Sequence, residues 1–184
     1  MFGPNGLGGP GNRGAPDPGL DPATLLEAWR TARARTLAGL GSLDDRDRVI
    51  WGAGPMSARS FADARLMETW AHGLDCFAAV GIVPVDTDRL RRIAGLSLRA
   101  LPYAFRVAGR QPPDALPDLA LDLTGPDGAT WWFGPAASAD VITGSAGDWC
   151  RVATRRKRAP DTSLVAPTWL GRSVLEVARA YLAD

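Results

Sequence analysis

Histidine is almost missing from this chain: His72 is the only one in 184 residues. A nucleophile triad would have to draw on that one imidazole, which sits four residues after Glu68, and no G-x-S-x-G elbow accompanies it. Cysteine is nearly as scarce. Cys76 and Cys150 fall one in each half, in apolar helical contexts, and have no zinc-ribbon spacing. They read as two free buried thiols in a reducing cytosol rather than a disulfide, so a cytoplasmic location is expected. No apolar run approaches ~18–20 residues, which argues against a membrane-spanning helix. The N-terminus lacks the basic-then-apolar pattern of a secretory signal. Net charge is +1, so nothing global draws the chain to nucleic acid or to an anionic membrane. There is no P-loop, and the N-terminal glycines do not stand between a strand and a helix, which excludes a dinucleotide fingerprint.

What is present divides into a tail and two domains. Residues 1–20 are Gly or Pro at nearly every second position and read as a disordered tail. Residues 21–109 read as a helical domain. Asp21 and Pro22 supply an N-cap and a first-turn proline, and Leu25, Leu26, Trp29, Ala32, Leu37 and Leu40 keep a helical period up to Gly41. A polar linker follows, then Val49–Met56, whose glycines and proline predict a bent, packed loop. After Gly81 and Pro84, one of Asp86, Thr87 or Asp88 is expected to cap a helix running to Leu101. Pro102 kinks or ends it, with a short helical piece over Tyr103–Val107.

Composition shifts at Arg110-Gln111-Pro112-Pro113, the expected boundary of a small α+β domain over 114–184. Leu119–Thr124 and Ala129–Phe133 flank the turn Gly125-Pro126-Asp127-Gly128 and predict a β-hairpin. Asp140–Gly144 predicts a third strand and Ala146–Thr154 a helix. The basic run Arg155-Arg156-Lys157-Arg158 reads as a solvated face suited to the helix C-terminal dipole, with anion binding as the alternative. Thr168 caps a last amphipathic helix through Val174, Val177, Tyr181 and Leu182.

The stretch Ser57–Val80 organises the first domain. It has no proline and one glycine, Ser57 is a good N-cap, and Gly81 closes it. Leu66, Met67, Trp70, Leu74, Phe77 and Ala78 form a broad apolar stripe, while Glu68 and His72 share their side with Phe61, Ala64, Cys76 and Ala79. The helix should therefore be packed on two sides. Glu68 and His72 leave one face a turn apart, and a carboxylate and an imidazole so spaced can hold a divalent metal ion. The plainer reading is that Glu68 bonds to His72 or to an arginine from another helix. Asp75 can orient the imidazole or bridge to another helix, the plainer reading being that it pairs with an arginine, and Cys76 reads as a core thiol.

Two runs, Trp51-Gly52-Ala53-Gly54-Pro55-Met56-Ser57-Ala58-Arg59-Ser60 and Ala64-Arg65-Leu66-Met67-Glu68-Thr69-Trp70-Ala71-His72-Gly73-Leu74-Asp75, resemble the actinobacterial relatives of the mycothiol-dependent maleylpyruvate isomerases. Those belong with the DinB-like helical-bundle metalloproteins. Leu121–Gly128, Trp132-Phe133-Gly134-Pro135 and Gly147-Asp148-Trp149-Cys150 look like the C-terminal segment of the same proteins, which is also grouped with a domain of wyosine-base-forming proteins. The resemblance implies a bundle holding a divalent ion, often zinc, through one histidine of an early helix plus the Glu and His of an E-x-x-x-H. Glu68 and His72 match the last two. The early histidine has no counterpart here, so the resemblance implies an N-terminally truncated member.

The expected fold is thus a partial DinB-like bundle followed by a small α+β domain. The expected function is that of a divalent-metal protein related to thiol-dependent isomerases or transferases, with zinc and mycothiol as cofactors and a small-molecule substrate or thiol as partner. No membrane partner is expected, and a homodimer is one way to cover the bundle face left open. Two alternatives stand beside it: a non-catalytic small-molecule or protein binding protein with a structural Glu68–His72 pair, and a tRNA-linked role motivated by Arg155–Arg158. A filter-binding titration with tRNA showing no salt-dependent retention would remove the last.

Overall fold

The structure, a computed structural model, describes residues 19–51 and 54–180. The expected disordered tail, apart from Gly19 and Leu20, lies outside the described residues. The architecture is mixed α plus β, a mainly helical first part followed by a small sheet region. In order it comprises α1 (Pro22–Gly41), β1 (Arg48–Trp51), β2 (Gly54–Ser57), α2 (Ala58–Ala79), α3 (Leu90–Arg99), α4 (Leu101–Val107), β3 (Ala120–Thr124), β4 (Thr130–Phe133), β5 (Val141–Ser145), α5 (Ala146–Ala153) and α6 (Trp169–Val177). The chain divides into two compact units between Ala62 and Asp63, inside α2.

In the first unit, α1 begins as its sequence dictates. The Asp21 carboxylate accepts the N–H groups of Ala23 and Thr24 at 3.0 and 3.1 Å, and Pro22 occupies the first turn. The stretch expected to be a bent loop is instead an antiparallel ribbon, with Val49 opposite Met56 and Ile50 opposite Pro55. The β-branched and aromatic run Val49-Ile50-Trp51 outweighs the glycines. Pro55 is tolerated because each strand of a two-stranded ribbon is an edge. The ribbon delivers the chain to α2, where the Ser57 hydroxyl accepts the Ser60 N–H at 3.2 Å and the Ala58 N–H donates to the Asp47 carbonyl at 2.8 Å.

In the second unit, α2 runs on to Ala79 and closes as a Schellman turn. Gly81, at φ +69°, donates to the Ala78 carbonyl and Ile82 to that of Phe77. The helix is not packed on two sides. Ala64, Met67 and Ala71 are buried at helical spacing, whereas His72, Asp75, Cys76 and Phe77 are exposed. Cys76 is accordingly an exposed thiol and not a core one. All-round apolarity states what a helix tolerates, not how many partners its unit supplies.

No side chain caps α3. Its first N–H groups donate to the carbonyls of Thr87, Asp88 and Arg89 at 2.9–3.1 Å. Asp86 is spent elsewhere: Arg151 grips its carboxylate at 2.7 and 2.9 Å. Pro102 sits in the first turn of α4.

The sheet has the order β4-β3-β5, with β3 antiparallel to β4 and parallel to β5. The expected hairpin and third strand are both present. Met67, Leu90, Ile93, Phe105, Leu121, Leu123, Ile142, Trp149 and Val174 belong to one core that draws on α2, α3, α4, the sheet, α5 and α6. Helix α6 starts on the Thr168 hydroxyl as expected but stops at Val177. Ala178 leaves the helical conformation, and Ala180 donates to the Ala153 carbonyl at 2.9 Å, satisfying a backbone acceptor at the buried end of α5. Tyr181 and Leu182 lie outside the described residues.

Near the start of α5, Asp148 accepts from the Ser163 N–H at 2.9 Å, the Ser163 hydroxyl at 2.8 Å and the Lys157 ammonium at 2.9 Å. Partial burial pushes its carboxyl upward most strongly of the single influences. The Ser163 N–H, Lys157 and the Ser163 hydroxyl together outweigh it and hold the group at about 2. A carboxyl held below its unfolded value stabilises the fold above about pH 4 and loses that contribution as pH falls through its folded value. Asp148→Ala should cost ~2 kcal/mol of unfolding free energy at neutral pH. In urea titrations the variant and the parent should converge as pH approaches about 2.

Candidate functional site

The exposed flank of α2 brings together the residues singled out in the sequence. The Glu68 Oε2 lies 3.3 Å from His72 Nε2, and the Asp75 Oδ2 lies 3.4 Å from His72 Nδ1. Helical spacing produces both approaches: i,i+4 places Glu68 one turn before the imidazole and i,i+3 places Asp75 just beyond it. The Glu68 side chain is 21% exposed and that of His72 is 68% exposed. Glu68 is thus largely shielded while the ring faces solvent. Cys76 continues the line along the helix, but it forms no ligand set with the pair: among the described residues no group of three His, Cys, Asp or Glu side chains could hold a metal ion.

Arg156 completes the cluster from the far end of α5. Its Nε and Nη2 donate to the two Asp75 carboxylate oxygens at 3.1 and 2.6 Å, and its Nη1 donates to the Thr154 carbonyl at 2.7 Å. This bidentate bond is the main cause holding the Asp75 carboxyl below its usual range; desolvation opposes it, and the charges of Arg156 and His72 add to it. Beside the cluster, the Arg151 guanidinium lies 5.6 Å from the Trp70 ring centroid while pairing with Asp86.

Asp75 therefore both faces the imidazole and pairs with an arginine, which comes from the turn after α5 and not from another helix. Arg156 was read only as part of the basic run, and its pairing with Asp75 was not foreseen. It is 81 residues from Asp75, and opposite charge was the only signal linking them. The basic run after α5, expected to be a solvated face, is largely spent on carboxylates: Arg156 on Asp75, Lys157 on Asp148 and Arg158 on Asp161.

Whether the pair suits a metal can be judged from its donors. With zinc–ligand bonds of ~2.0–2.1 Å, tetrahedral donors stand roughly 3.3–3.4 Å apart. The Glu68–His72 separation of 3.3 Å is that of one tetrahedral edge. Imidazole with carboxylate is also a donor set zinc accepts. The fit covers two positions and no more.

Residues 8–77, which include Glu68 and His72, match the family model of the mycothiol maleylpyruvate isomerase N-terminal domain. Over this stretch, which is less than half of the chain, the sequence is similar to that N-terminal domain. Two uncharacterized proteins of Mycobacterium tuberculosis, one from strain CDC 1551 / Oshkosh and one from strain ATCC 25618 / H37Rv, are each 43% identical to it over 162 residues. The match takes in 88% of this chain and 62% of theirs, so the chain spans less than two thirds of the length of these relatives. No solved structure matches it. Among the described residues no helix is long and apolar enough to cross a membrane.

If Arg156 is what depresses Asp75, Arg156→Ala should move the Asp75 titration upward toward the ordinary aspartate range. Carboxyl-carbon NMR titration reads this directly. An unmoved midpoint would show that the guanidinium does not govern the carboxyl.

Proposed function

We propose that Glu68 and His72 are the two-donor part of a divalent-metal site, with zinc the best-matched ion, in a protein of thiol-dependent isomerisation or transfer chemistry. The 3.3 Å separation of the two donor atoms carries this reading, and the family description supports mycothiol as the thiol. A bound divalent ion supplies a Lewis acid that favours the deprotonated form of a thiol at neutral pH. The chain's own residues prepare the donors. Asp75 beside Nδ1 favours the tautomer that carries its proton there, which leaves the Nε2 lone pair directed toward Glu68. Arg156 keeps Asp75 ionised and in place. The substrate is a small molecule reached from the solvent side of the ring.

A second reading has one observation in its favour. Carboxylates lie within 3.4 Å of both ring nitrogens, an arrangement that equally suits a protonated His72 in a purely structural cluster. The chain would then be a non-catalytic binding protein.

Zinc titration followed by isothermal calorimetry separates the two. On the metal reading the chain takes up one equivalent, with the weak affinity expected of two protein donors, and His72→Ala removes the uptake. Absence of bound zinc at saturating concentration sinks the metal reading and leaves the structural one.

A further inference from the structure

Also in the second unit, the basic run and α6 enclose an open groove of ≈ 820 Å³. That volume falls in the range of small-molecule sites. Its charged lining is one-sided once the ion pairs are removed. Arg156, Lys157 and Arg158 are held by Asp75, Asp148 and Asp161. Glu176, an acid of the same wall, is taken by Arg110 at 2.8 Å. Arg155 and Arg172 remain, both exposed and both without a carboxylate partner among the described residues. Arg172 donates from Nη1 to the Pro167 carbonyl and keeps its other donors. Leu164, Ala166 and Leu175 supply an apolar, half-buried floor.

The backbone adds a second observation. Arg155 stands at φ +63°, the one described non-glycine residue in the left-handed region. It occupies the position after the α5 cap where a Schellman turn ordinarily takes glycine: Arg155 donates to the Val152 carbonyl at 3.0 Å and Arg156 to that of Arg151 at 2.8 Å. A β-carbon there is strained. The turn thus aims an unneutralised guanidinium at the groove from a position where glycine would fold more easily.

We propose that this groove binds a small amphipathic anion, an alkyl or aryl body bearing a phosphate or carboxylate. Arg155 and Arg172 take the anionic head, where guanidinium geometry suits either oxyanion, and the Leu164–Leu175 floor takes the body. The inference is independent of the metal reading, because no groove residue is a donor of the Glu68–His72 pair.

The test is calorimetric titration of the full chain with hexyl phosphate, hexanoate and inorganic phosphate, with EDTA present so that metal plays no part. Saturable one-to-one binding of hexyl phosphate or hexanoate is expected, and the tighter of the two identifies the head group. Inorganic phosphate should bind at least roughly tenfold more weakly, since it leaves the floor uncovered. Arg155→Gly should weaken binding by roughly tenfold or more while raising the thermal midpoint, because glycine relieves the left-handed strain. Arg172→Ala should weaken binding similarly without touching that turn. No saturable binding of either organic anion overturns the proposal. So does affinity unchanged in both variants, or inorganic phosphate binding as tightly as hexyl phosphate.

Discussion

The burial of α5 against α3 and β5 is the constraint on which the second unit depends. Trp149, Cys150 and Ala153 are fully buried, and the helix is too short to hold together on propensity alone. Packing supplies what propensity does not. Its start is pressed so closely by the Asp86–Arg151 pair that a β-carbon on Gly147 would come within 2.3 Å of Asp86 Oδ2 and 2.6 Å of Arg151 Nη1. Any larger residue would have to displace the pair. The burial has a cost as well: the Trp149 indole N–H has no hydrogen-bond partner among the described residues, a penalty of about 1–3 kcal/mol that the ring's packing offsets.

The far end of the same helix sorts two neighbouring arginines to different tasks. The left-handed turn at Arg155 reverses the chain, so Arg155 faces the groove while Arg156 returns to Asp75. One backbone conformation thereby sets both the electrostatics beside His72 and the charge left on the groove. The two regions meet at Arg156, which lines the groove while holding Asp75.

Local signals survived translation into structure where a single chemical preference decided them. Asp21, Ser57 and Thr168 cap helices because a side-chain oxygen next to free N–H groups has few better uses. The hairpin around Gly125–Gly128 follows from strand alternation on either side of turn residues. The readings failed where a distant partner competed. Asp86 was a plausible cap, but Arg151 offers two charge-assisted bonds in a shielded position, worth more than a cap in water. The ribbon at Val49–Met56 was hidden by weighing glycine and proline above β-branching. Within the site, the E-x-x-x-H spacing was legible because helix geometry alone fixes it. Arg156 was not, since long-range pairing leaves no periodic mark.

The two cysteines, alike in sequence context, end in opposite chemical conditions. Burial pushes the Cys150 thiol far up, and it sits 3.6 Å from the Leu90 carbonyl with no solvent exposure. Cys76 is exposed one helical turn past His72. Thiol reactivity tracks thiolate availability and access, so an alkylating reagent meets one addressable sulfur in the native chain. The protein thus carries a natural attachment point for a spectroscopic label beside its histidine, with no background from the core.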